Sequence, residues 1–326
     1  MNLWHIYHPS VPDFVREIAE TPAMRRLQDV GMNCGCEYTA FPLFTGLEKN
    51  SRFDHSVGCG LIVWHFTQDK RQTVAALLHD IASPVFAHVI DFLNGDHERQ
   101  ESTEDATAEI IAQSPELMRI LASLGLSLDE VSDYHLYSVA DNDTPRLSAD
   151  RLEYTLGNVV NYRLAPRETV RNWYDNLLVA PNEEGTDEMM FTDLAVAEAF
   201  GHAALQMSRV YVSDEDRYAM QMLAELLKRH INRGLLTMDD LYKTENEVIT
   251  ILENDAVAHA EWQDFRSLHR VDKEAGHPNS RVVPAKKRYI NPMVRGKGRL
   301  ADLSPAFAAD MADFLSLSFA EALCGS

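Results

Sequence analysis

Apolar residues recur at intervals of three and four along most of the chain, which is the spacing of one face of an α-helix. The first clear case follows Thr21-Pro22, a cap and a first-turn proline, and places Met24, Leu27 and Val30 on one face. The same spacing predicts helices near residues 53–66, from 74 until shortly before Pro84, and at 103–113, 115–124, 148–160, 193–213, 214–233, 244–270 and 305–322. The pattern therefore predicts an all-α fold.

Two segments lack the helical spacing. Residues 181–192 are acidic and rich in turn-forming residues, which predicts a loop or a short hairpin and a possible domain boundary. Residues 271–303 combine prolines and β-branched residues with a group of basic side chains, Arg281, Lys286, Lys287, Arg288, Arg295, Lys297 and Arg299. This segment reads as a small, basic, strand-containing appendage, or alternatively as a solvated loop. We expect a core domain at 1–180 and a helical C-terminal extension at 181–326.

The composition is that of an ordinary globular protein, with 45% hydrophobic and 25% charged residues among 326. Its longest apolar runs, residues 59–64 and 74–78, are far shorter than the roughly 20 residues that span a bilayer. Residues 1–14 lack the basic start and apolar run of a secretory signal. We therefore expect a cytoplasmic protein without a membrane partner.

The net charge of the chain limits the classes of ligand that it is expected to bind. Thirty basic and fifty acidic residues give a net charge of −20, which repels a nucleic-acid backbone and predicts no nonspecific nucleic-acid binding. A small phosphorylated ligand remains compatible, because a metal ion and local cations can dominate inside a cleft. The four cysteines form no C-x-x-C pair and are expected to be reduced structural thiols.

The side chains that point to chemistry are His55, His79, Asp80 and Asp150, each near the end of a predicted helix. Two imidazoles and two carboxylates suit one divalent ion such as Mn, Fe, Mg or Zn, and disfavour softer metals that prefer thiolates. Neighbouring residues on a regular helix point about 100° apart, so His79 and Asp80 can converge only if the helix ends there. Pro84 makes such an end plausible. A histidine-aspartate pair by itself is usually structural.

Several short motifs in a fixed order make the assignment more specific. They are T-P-A-M-R-R-L at 21–27, F-P at 41–42, S-R-F-D-H-S-V-G at 51–58, A-L-L-H-D-I at 76–81, F-A-H at 86–88, H-E at 97–98 and S-A-D-R-L-E-Y at 148–154. In order and spacing these motifs resemble the HD superfamily of metal-dependent phosphohydrolases, and most closely its deoxynucleoside triphosphate triphosphohydrolase branch. A weaker match, K-K-R-Y-I-N-P, lies at 286–292.

The resemblance implies an HD-type helical bundle, followed by additional C-terminal helices and the strand-containing appendage. It assigns His55, His79, Asp80 and Asp150 as ligands of one divalent metal ion. It assigns His97 and Glu98 as an acid/base pair beside the scissile phosphate, with His88 also in the pocket. The alternatives are an exposed loop histidine for His97 and a buried core histidine for His88.

Three further residues are assigned to the substrate by the resemblance. Arg52 lies where the family has an arginine and would hold phosphate oxygens; the alternative is a surface ion pair with Asp54 or Glu48. Arg151 and Tyr154 flank Asp150 on its helix. Tyr154 would pack on a sugar or base, or else make only a helix contact.

One departure bears on the reaction. The branch usually has glycine and histidine where this chain has Ala82-Ser83, so one candidate contact to phosphate or water is lost. The expected activity is hydrolysis of a dNTP to deoxynucleoside and triphosphate. The alternatives are an HD-type nucleotidase or phosphodiesterase, and a non-catalytic helical regulatory module. Members of the branch form oligomers, so a homo-oligomer is possible.

Overall fold

The structure is a computed structural model that describes residues 2–94 and 106–326, and it is mostly helical in those residues, which confirms the predicted class. The helices are α1 (Trp4–Tyr7), α2 (Asp13–Ala19), α3 (Pro22–Arg26), α4 (Arg52–Thr67), α5 (Lys70–Leu78), α6 (Val89–Asn94), α7 (Thr107–Gln113), α8 (Pro115–Leu124), α9 (Ala149–Asn161), α10 (Arg167–Asp175), α11 (Leu194–Val210), α12 (Asp214–Asn232), α13 (Glu245–Asn254), α14 (Ala256–Ser267), α15 (Leu300–Leu303) and α16 (Pro305–Ser316). Short 3₁₀ turns connect several of them.

Two small sheets accompany the helices. The strands are β1 (Leu177–Pro181), β2 (Asp187–Phe191), β3 (Val271–Lys273), β4 (Arg281–Val282), β5 (Met293–Val294), β6 (Gly298–Arg299) and β7 (Ala322–Gly325). One sheet has the order β1-β2-β5-β6 and the other the order β3-β7-β4. The hairpin near residues 181–192 and the strands within 271–303 are therefore confirmed. The helix predicted at 305–322 ends earlier, at Ser316, and β7 begins at Ala322.

Local capping explains where the helices begin. The Ser148 hydroxyl accepts a hydrogen bond from the Arg151 amide at the start of α9, as expected for an N-cap. Thr244 and Glu247 form a capping box at the start of α13, which their spacing of three residues permits. The prediction of one helix over 244–270 was wrong, because the Asp255 carboxylate accepts hydrogen bonds from the Val257 and Ala258 amides and starts a second helix there.

The core positions the helices that carry the candidate ligands. Helix α4 is buried along most of its length and packs against α5 and α9. One hydrophobic cluster joins Leu61 and Leu152 to Phe200 and Phe307, so residues on both sides of the predicted boundary at 180 share a core. The described residues contain no helix with both the length and the apolar character needed to cross a membrane.

Candidate metal centre

Three elements bring four candidate ligands together. His55 lies in the first turn of α4, His79 and Asp80 follow the last residue of α5, and Asp150 lies in the first turn of α9. The His55 Nε2 atom is 3.1 Å from Asp150 Oδ1 and 3.2 Å from His79 Nε2, and His79 Nε2 is 3.6 Å from Asp150 Oδ1. Side chains that are up to 95 residues apart in sequence therefore meet at one point.

The Asp80 carboxylate lies close to the same two imidazole nitrogens. Its Oδ2 atom is 3.6 Å from His79 Nε2 and 3.8 Å from His55 Nε2. The chain leaves helical geometry after Leu78 and continues through turns to Pro84, as the sequence indicated. This change of direction allows two adjacent side chains to approach the same point.

The hydrogen bonds of the two imidazoles show that the group suits a cation. His79 Nδ1 lies 2.8 Å from the Ala76 carbonyl oxygen, and His55 Nδ1 lies 2.7 Å from Glu153 Oε2. Both partners accept, so both Nδ1 atoms carry a proton, and each ring that is neutral presents the lone pair of its Nε2 atom. The two Nε2 atoms and a carboxylate oxygen lie within 3.6 Å of one another, an arrangement that a positive charge at this point stabilises, either a proton on His55 or a bound cation.

The separations also match those of metal ligands. Nitrogen and oxygen ligands lie about 2.0–2.2 Å from a zinc or magnesium ion, so neighbouring ligands are about 3–3.6 Å apart. The distances among His55, His79 and Asp150 are 3.1, 3.2 and 3.6 Å. The residues present therefore fit a divalent ion, while all four assignments remain predictions.

A buried guanidinium completes this part of the site. Arg52 Nη1 donates to both carboxylate oxygens of Asp80, at 2.9 and 2.8 Å. Burial favours the protonated carboxyl, but Arg52 and the two imidazoles hold the pKa of Asp80 well below its usual value. Arg52 thus pairs with Asp80 rather than with Asp54 or Glu48. Its buried Nε atom has no hydrogen-bond partner among the described residues.

These residues lie in the wall of a cavity of about 760 Å³. Its lining also includes His88, Arg151 and Tyr154, so the described residues assigned to the substrate face the same space as the candidate ligands. His97 and Glu98 lie outside the described residues, and their assignment as an acid/base pair stays a prediction.

His88 is oriented by a partner that the sequence analysis did not identify. Its Nδ1 atom donates to Asp91 Oδ2 at 2.9 Å, and Asp91 is fully buried. Burial lowers the pKa of His88, and the hydrogen bond to Asp91 opposes that shift. Phe86 and Ala87, just before it, have φ values of 57° and 45°, a conformation that is costly for residues other than glycine.

Arg151 is held by a hydrogen bond and an ion pair to nearby residues, whereas Tyr154 makes contacts between aromatic rings. Arg151 donates through Nε to the Arg146 carbonyl at 2.8 Å and forms an ion pair with Asp141 at 3.2 Å. Its guanidinium therefore stabilises the loop that precedes α9. The Tyr154 ring lies 6.5 Å from the His55 ring and 5.9 Å from that of Tyr211, both measured between centroids.

Two known proteins are similar to this chain in sequence. The chain is 25% identical over 203 residues to the uncharacterized protein YdhJ of Bacillus subtilis, covering 62% of this chain and 61% of that protein. It is 25% identical over 218 residues to the metal-dependent phosphohydrolase cns2 of Cordyceps militaris, covering 65% of this chain and 58% of that protein. The matched part thus spans less than two thirds of either relative. No family model matches the chain.

A solved structure extends the likeness to the whole fold. A crystal structure of a phosphohydrolase from Bacteroides thetaiotaomicron aligns with a TM-score of 0.66 and 14% sequence identity, covering 97% of this chain and 96% of that one. The chain shares the fold of that phosphohydrolase. In sequence, it is similar to a metal-dependent phosphohydrolase.

Two residues near His55 were missed by the sequence analysis. Glu153 accepts from His55 Nδ1 and is only 4% exposed. It lies three residues after Asp150, so helical spacing could have placed it beside the site. Cys59 follows His55 by one turn, and its sulfur is 3.7 Å from both ring nitrogens.

Cys59 adds a fourth donor to His55, His79 and Asp150, with all four donor atoms within 4.8 Å of one another. Burial raises the pKa of the Cys59 thiol to about 12. The Cys59 sulfur lies 3.7 Å from the His55 nitrogens, whereas the imidazole and carboxylate donors lie 3.1–3.6 Å from one another, so these three donors are better placed around one ion.

Proposed function

We propose that the protein is a metal-dependent phosphohydrolase that acts on a nucleotide. The observation that carries this proposal is the convergence of His55, His79, Asp80 and Asp150 in the wall of a large open cavity. Similarity to a metal-dependent phosphohydrolase supports it. A divalent ion would be bound at one point by both imidazole nitrogens and the Asp150 carboxylate.

Each part of the site has a chemical task. A divalent ion bound there would polarise a phosphoryl oxygen and lower the pKa of water. Arg52 neutralises Asp80 and lines the cavity that would hold the phosphate. His88, held through Nδ1 by Asp91, presents its other nitrogen for proton exchange with an oxygen of the substrate. Water supplies the new oxygen on phosphorus, and the departing oxygen takes up a proton.

The side of the cavity near Tyr154 suits the sugar and base of a nucleotide. Tyr154 and Tyr211 lie edge to face there, and Asn158 donates to the Tyr211 hydroxyl at 2.8 Å. The buried Asn158 Oδ1 atom has no hydrogen-bond partner in the described part of the chain. Aromatic faces beside a free acceptor are typical of a pocket for a polar, ring-containing ligand.

The first candidate reaction is hydrolysis of a dNTP to deoxynucleoside and triphosphate. The second candidate, hydrolysis of a phosphate monoester or diester, is favoured by Ser83. The Ser83 hydroxyl donates to Asp80 Oδ1 at 2.7 Å, and its side chain is fully buried. It does not line the cavity where the branch usually has a histidine.

The proposal is tested by metal analysis and product analysis of the purified protein. The protein is incubated with dNTPs, NTPs, nucleoside monophosphates and cyclic nucleotides, each with Mn²⁺, Fe²⁺, Mg²⁺ or Zn²⁺, and the products are separated by chromatography. Tripolyphosphate release supports the first reaction, and orthophosphate or ring opening supports the second.

Two variants accompany this assay. We expect Asp150→Ala to abolish turnover, while Asp13→Ala, at a side chain that is 96% exposed, leaves turnover unchanged. Absence of both bound metal and turnover in the unaltered protein contradicts the proposal and supports a non-catalytic role.

A further inference from the structure

One arginine of the motif at 21–27 contacts the turn that carries two candidate ligands. Arg26 is the last residue of α3, and its Nη2 atom donates to the Ser83 carbonyl at 2.7 Å and to the Ile81 carbonyl at 3.0 Å. Its neighbour in the motif, Arg25, is exposed. The guanidinium of Arg26 therefore binds the turn that follows His79 and Asp80.

The carbonyl groups of this turn need a donor from elsewhere in the protein. Ile81 and Ser83 are fully buried, so their backbone oxygens are shielded from water. Within the described part of the chain, no backbone amide donates to either oxygen. Arg26 donates to both, and its removal would leave two buried acceptors without this partner, which is more costly than the loss of an exposed hydrogen bond.

Ser83 connects the guanidinium to a candidate metal ligand. Its amide donates to the Asp80 carbonyl at 2.9 Å, and its hydroxyl donates to Asp80 Oδ1 at 2.7 Å. Because the Ser83 carbonyl accepts from Arg26, a displacement of this peptide group would also move the Asp80 carboxylate. His79 directly precedes Asp80, so the position of its ring depends on the same turn.

The same guanidinium also contacts the segment that precedes α13. Arg26 Nη1 donates to the Lys243 carbonyl at 3.2 Å. Beside this contact, the Val85 amide donates to the carbonyl of the buried residue Leu241 at 2.7 Å. The turn is thus held between α3 and the C-terminal extension.

The backbone beyond the turn is strained. Phe86 and Ala87 have φ values of 57° and 45°, which are unfavourable for side chains other than glycine. Such conformations persist only where the surrounding contacts determine them. The shape of the chain from His79 to Ala87 therefore depends on contacts with other elements, and those of Arg26 are among them.

We infer that Arg26 is a positioning residue for His79 and Asp80. This inference rests on the proposed function, because it concerns the ligands of the proposed metal site. Arg26 keeps the turn in the shape in which both side chains face His55 and Asp150. The site then needs less rearrangement to bind an ion, and its affinity for the ion is higher.

The test is a calorimetric titration of the metal-free protein and its variants with Mn²⁺. We expect Arg26→Ala to lower the affinity about 10- to 100-fold, the range found when a group that orients metal ligands is removed. Arg25→Ala removes the adjacent, exposed arginine of the same helix. It should change the affinity by no more than about twofold, as is usual for substitutions on the surface.

A variant that is destabilised elsewhere separates positioning from stability alone. A Cβ atom added at Gly201, in α11, would lie 2.6 Å from Leu300 Cδ2 and 2.8 Å from Phe307 Cε2. Gly201→Ala should therefore lower the melting temperature through overpacking, although α11 supplies none of the candidate ligands. We expect it to bind Mn²⁺ as tightly as the unaltered protein at a temperature at which both are folded.

Lysine variants keep the test decisive if Arg26→Ala does not fold. Lysine retains the charge but lacks the planar fork of donors that contacts three carbonyl groups. We expect Arg26→Lys to lower the Mn²⁺ affinity about 3- to 10-fold, half of the logarithmic loss for alanine. Arg25→Lys should have no effect.

Two results would overturn the inference. One is a folded Arg26 variant that binds Mn²⁺ as tightly as its Arg25 counterpart, and the other is an equal loss of affinity in Gly201→Ala. Either result would leave the proposed function intact, because the unaltered protein still binds the ion. If the unaltered protein binds no metal, the proposed function is contradicted and the inference is wrong with it.

Discussion

At the scale of single residues, the orientation of His55 depends on a side chain behind it. Glu153 Oε2 accepts from His55 Nδ1, while Glu153 Oε1 accepts from the Tyr7 hydroxyl at 3.3 Å. Helix α1 is thereby connected to the candidate ligand through one carboxylate. Such a partner fixes the ring and raises the basicity of the nitrogen that faces the ion.

Removal of this carboxylate should weaken metal binding. We expect Glu153→Ala to lower the affinity for Mn²⁺ about 10- to 100-fold, because the His55 ring loses the acceptor that orients it. Glu153→Gln keeps an oxygen that can accept the same hydrogen bond, so it should restore part of the affinity. Calorimetric titration of the metal-free protein measures both variants. Equal affinity of Glu153→Ala and the unaltered protein would show that Glu153 does not position His55.

Gly58 leaves space for the side chain of Glu153. A Cβ atom added at Gly58 would lie 2.6 Å from Glu153 Cγ and 2.8 Å from its Oε1, whereas one at Gly157 would lie 3.6 Å from its nearest neighbour, Asn50. We expect Gly58→Ala to lower the free energy of unfolding by about 1–3 kcal/mol through overpacking. Gly157→Ala should be neutral or stabilising by up to about 1 kcal/mol, because alanine favours helix. Urea unfolding compares the two; a Gly58→Ala protein as stable as Gly157→Ala contradicts this reading.

At the scale of elements, a pair of carboxyl groups joins the start of α13 to the 3₁₀ turn at Cys36–Tyr38. Glu245, at the first position of α13, accepts from the Gly31 amide at 2.8 Å and from the Tyr38 hydroxyl at 2.7 Å. Glu37 lies beside it, and its buried Oε2 atom has no hydrogen-bond partner in residues 2–94 or 106–326. Burial and the charge of Glu245 raise the pKa of Glu37 to about 8.

The Glu37–Glu245 pair should make the stability of the folded protein depend on pH. The folded protein keeps a proton on Glu37 that the unfolded chain releases above its ordinary pKa of 4.5. The contribution of Glu37 is therefore most favourable below about pH 4.5, and it declines as the pH rises to about 8. We expect the melting temperature to fall less between pH 5.5 and 8.5 in Glu37→Gln than in the unaltered protein. Differential scanning calorimetry at the two pH values measures this, and an equal fall in both proteins contradicts it.

Elements with strong local signals were the ones that the sequence predicted. Helices α4 and α9 follow from apolar spacing, and in the structure Ser51 and Ser148 cap their first turns. The pairing of β2 with β5, by contrast, could not be predicted. Met190 pairs with Met293 and Phe191 with Val294, so the two strands are about a hundred residues apart in sequence. Strand β7 also depends on distant partners, because it pairs with β3 and β4 on either side. Short strands of this kind depend on distant partners and carry little local signal.

At the scale of the whole molecule, the cavity is assembled from distant parts of the chain. Helices α4 and α9 and the turn after α5 supply the candidate ligands, and the segment at 283–292 supplies cations from the other end of the sequence. The motifs allowed the ligand set to be predicted because each motif is local. Glu153 and Asp91 lie three residues after Asp150 and His88, so helical spacing could have indicated both. The approach of the segment at 283–292 to the cavity could not be predicted, since it depends on which surfaces meet after folding.

The central claim is that one divalent ion binds among His55, His79, Asp80 and Asp150. Anomalous diffraction from crystals of the protein loaded with Mn²⁺, collected at the manganese absorption edge, tests it most directly. We predict one strong anomalous peak about 2.0–2.3 Å from His55 Nε2, His79 Nε2 and Asp150 Oδ1, and its loss in Asp150→Ala crystals. An anomalous map with no peak between these atoms at saturating Mn²⁺, or with a peak only elsewhere, would contradict the account.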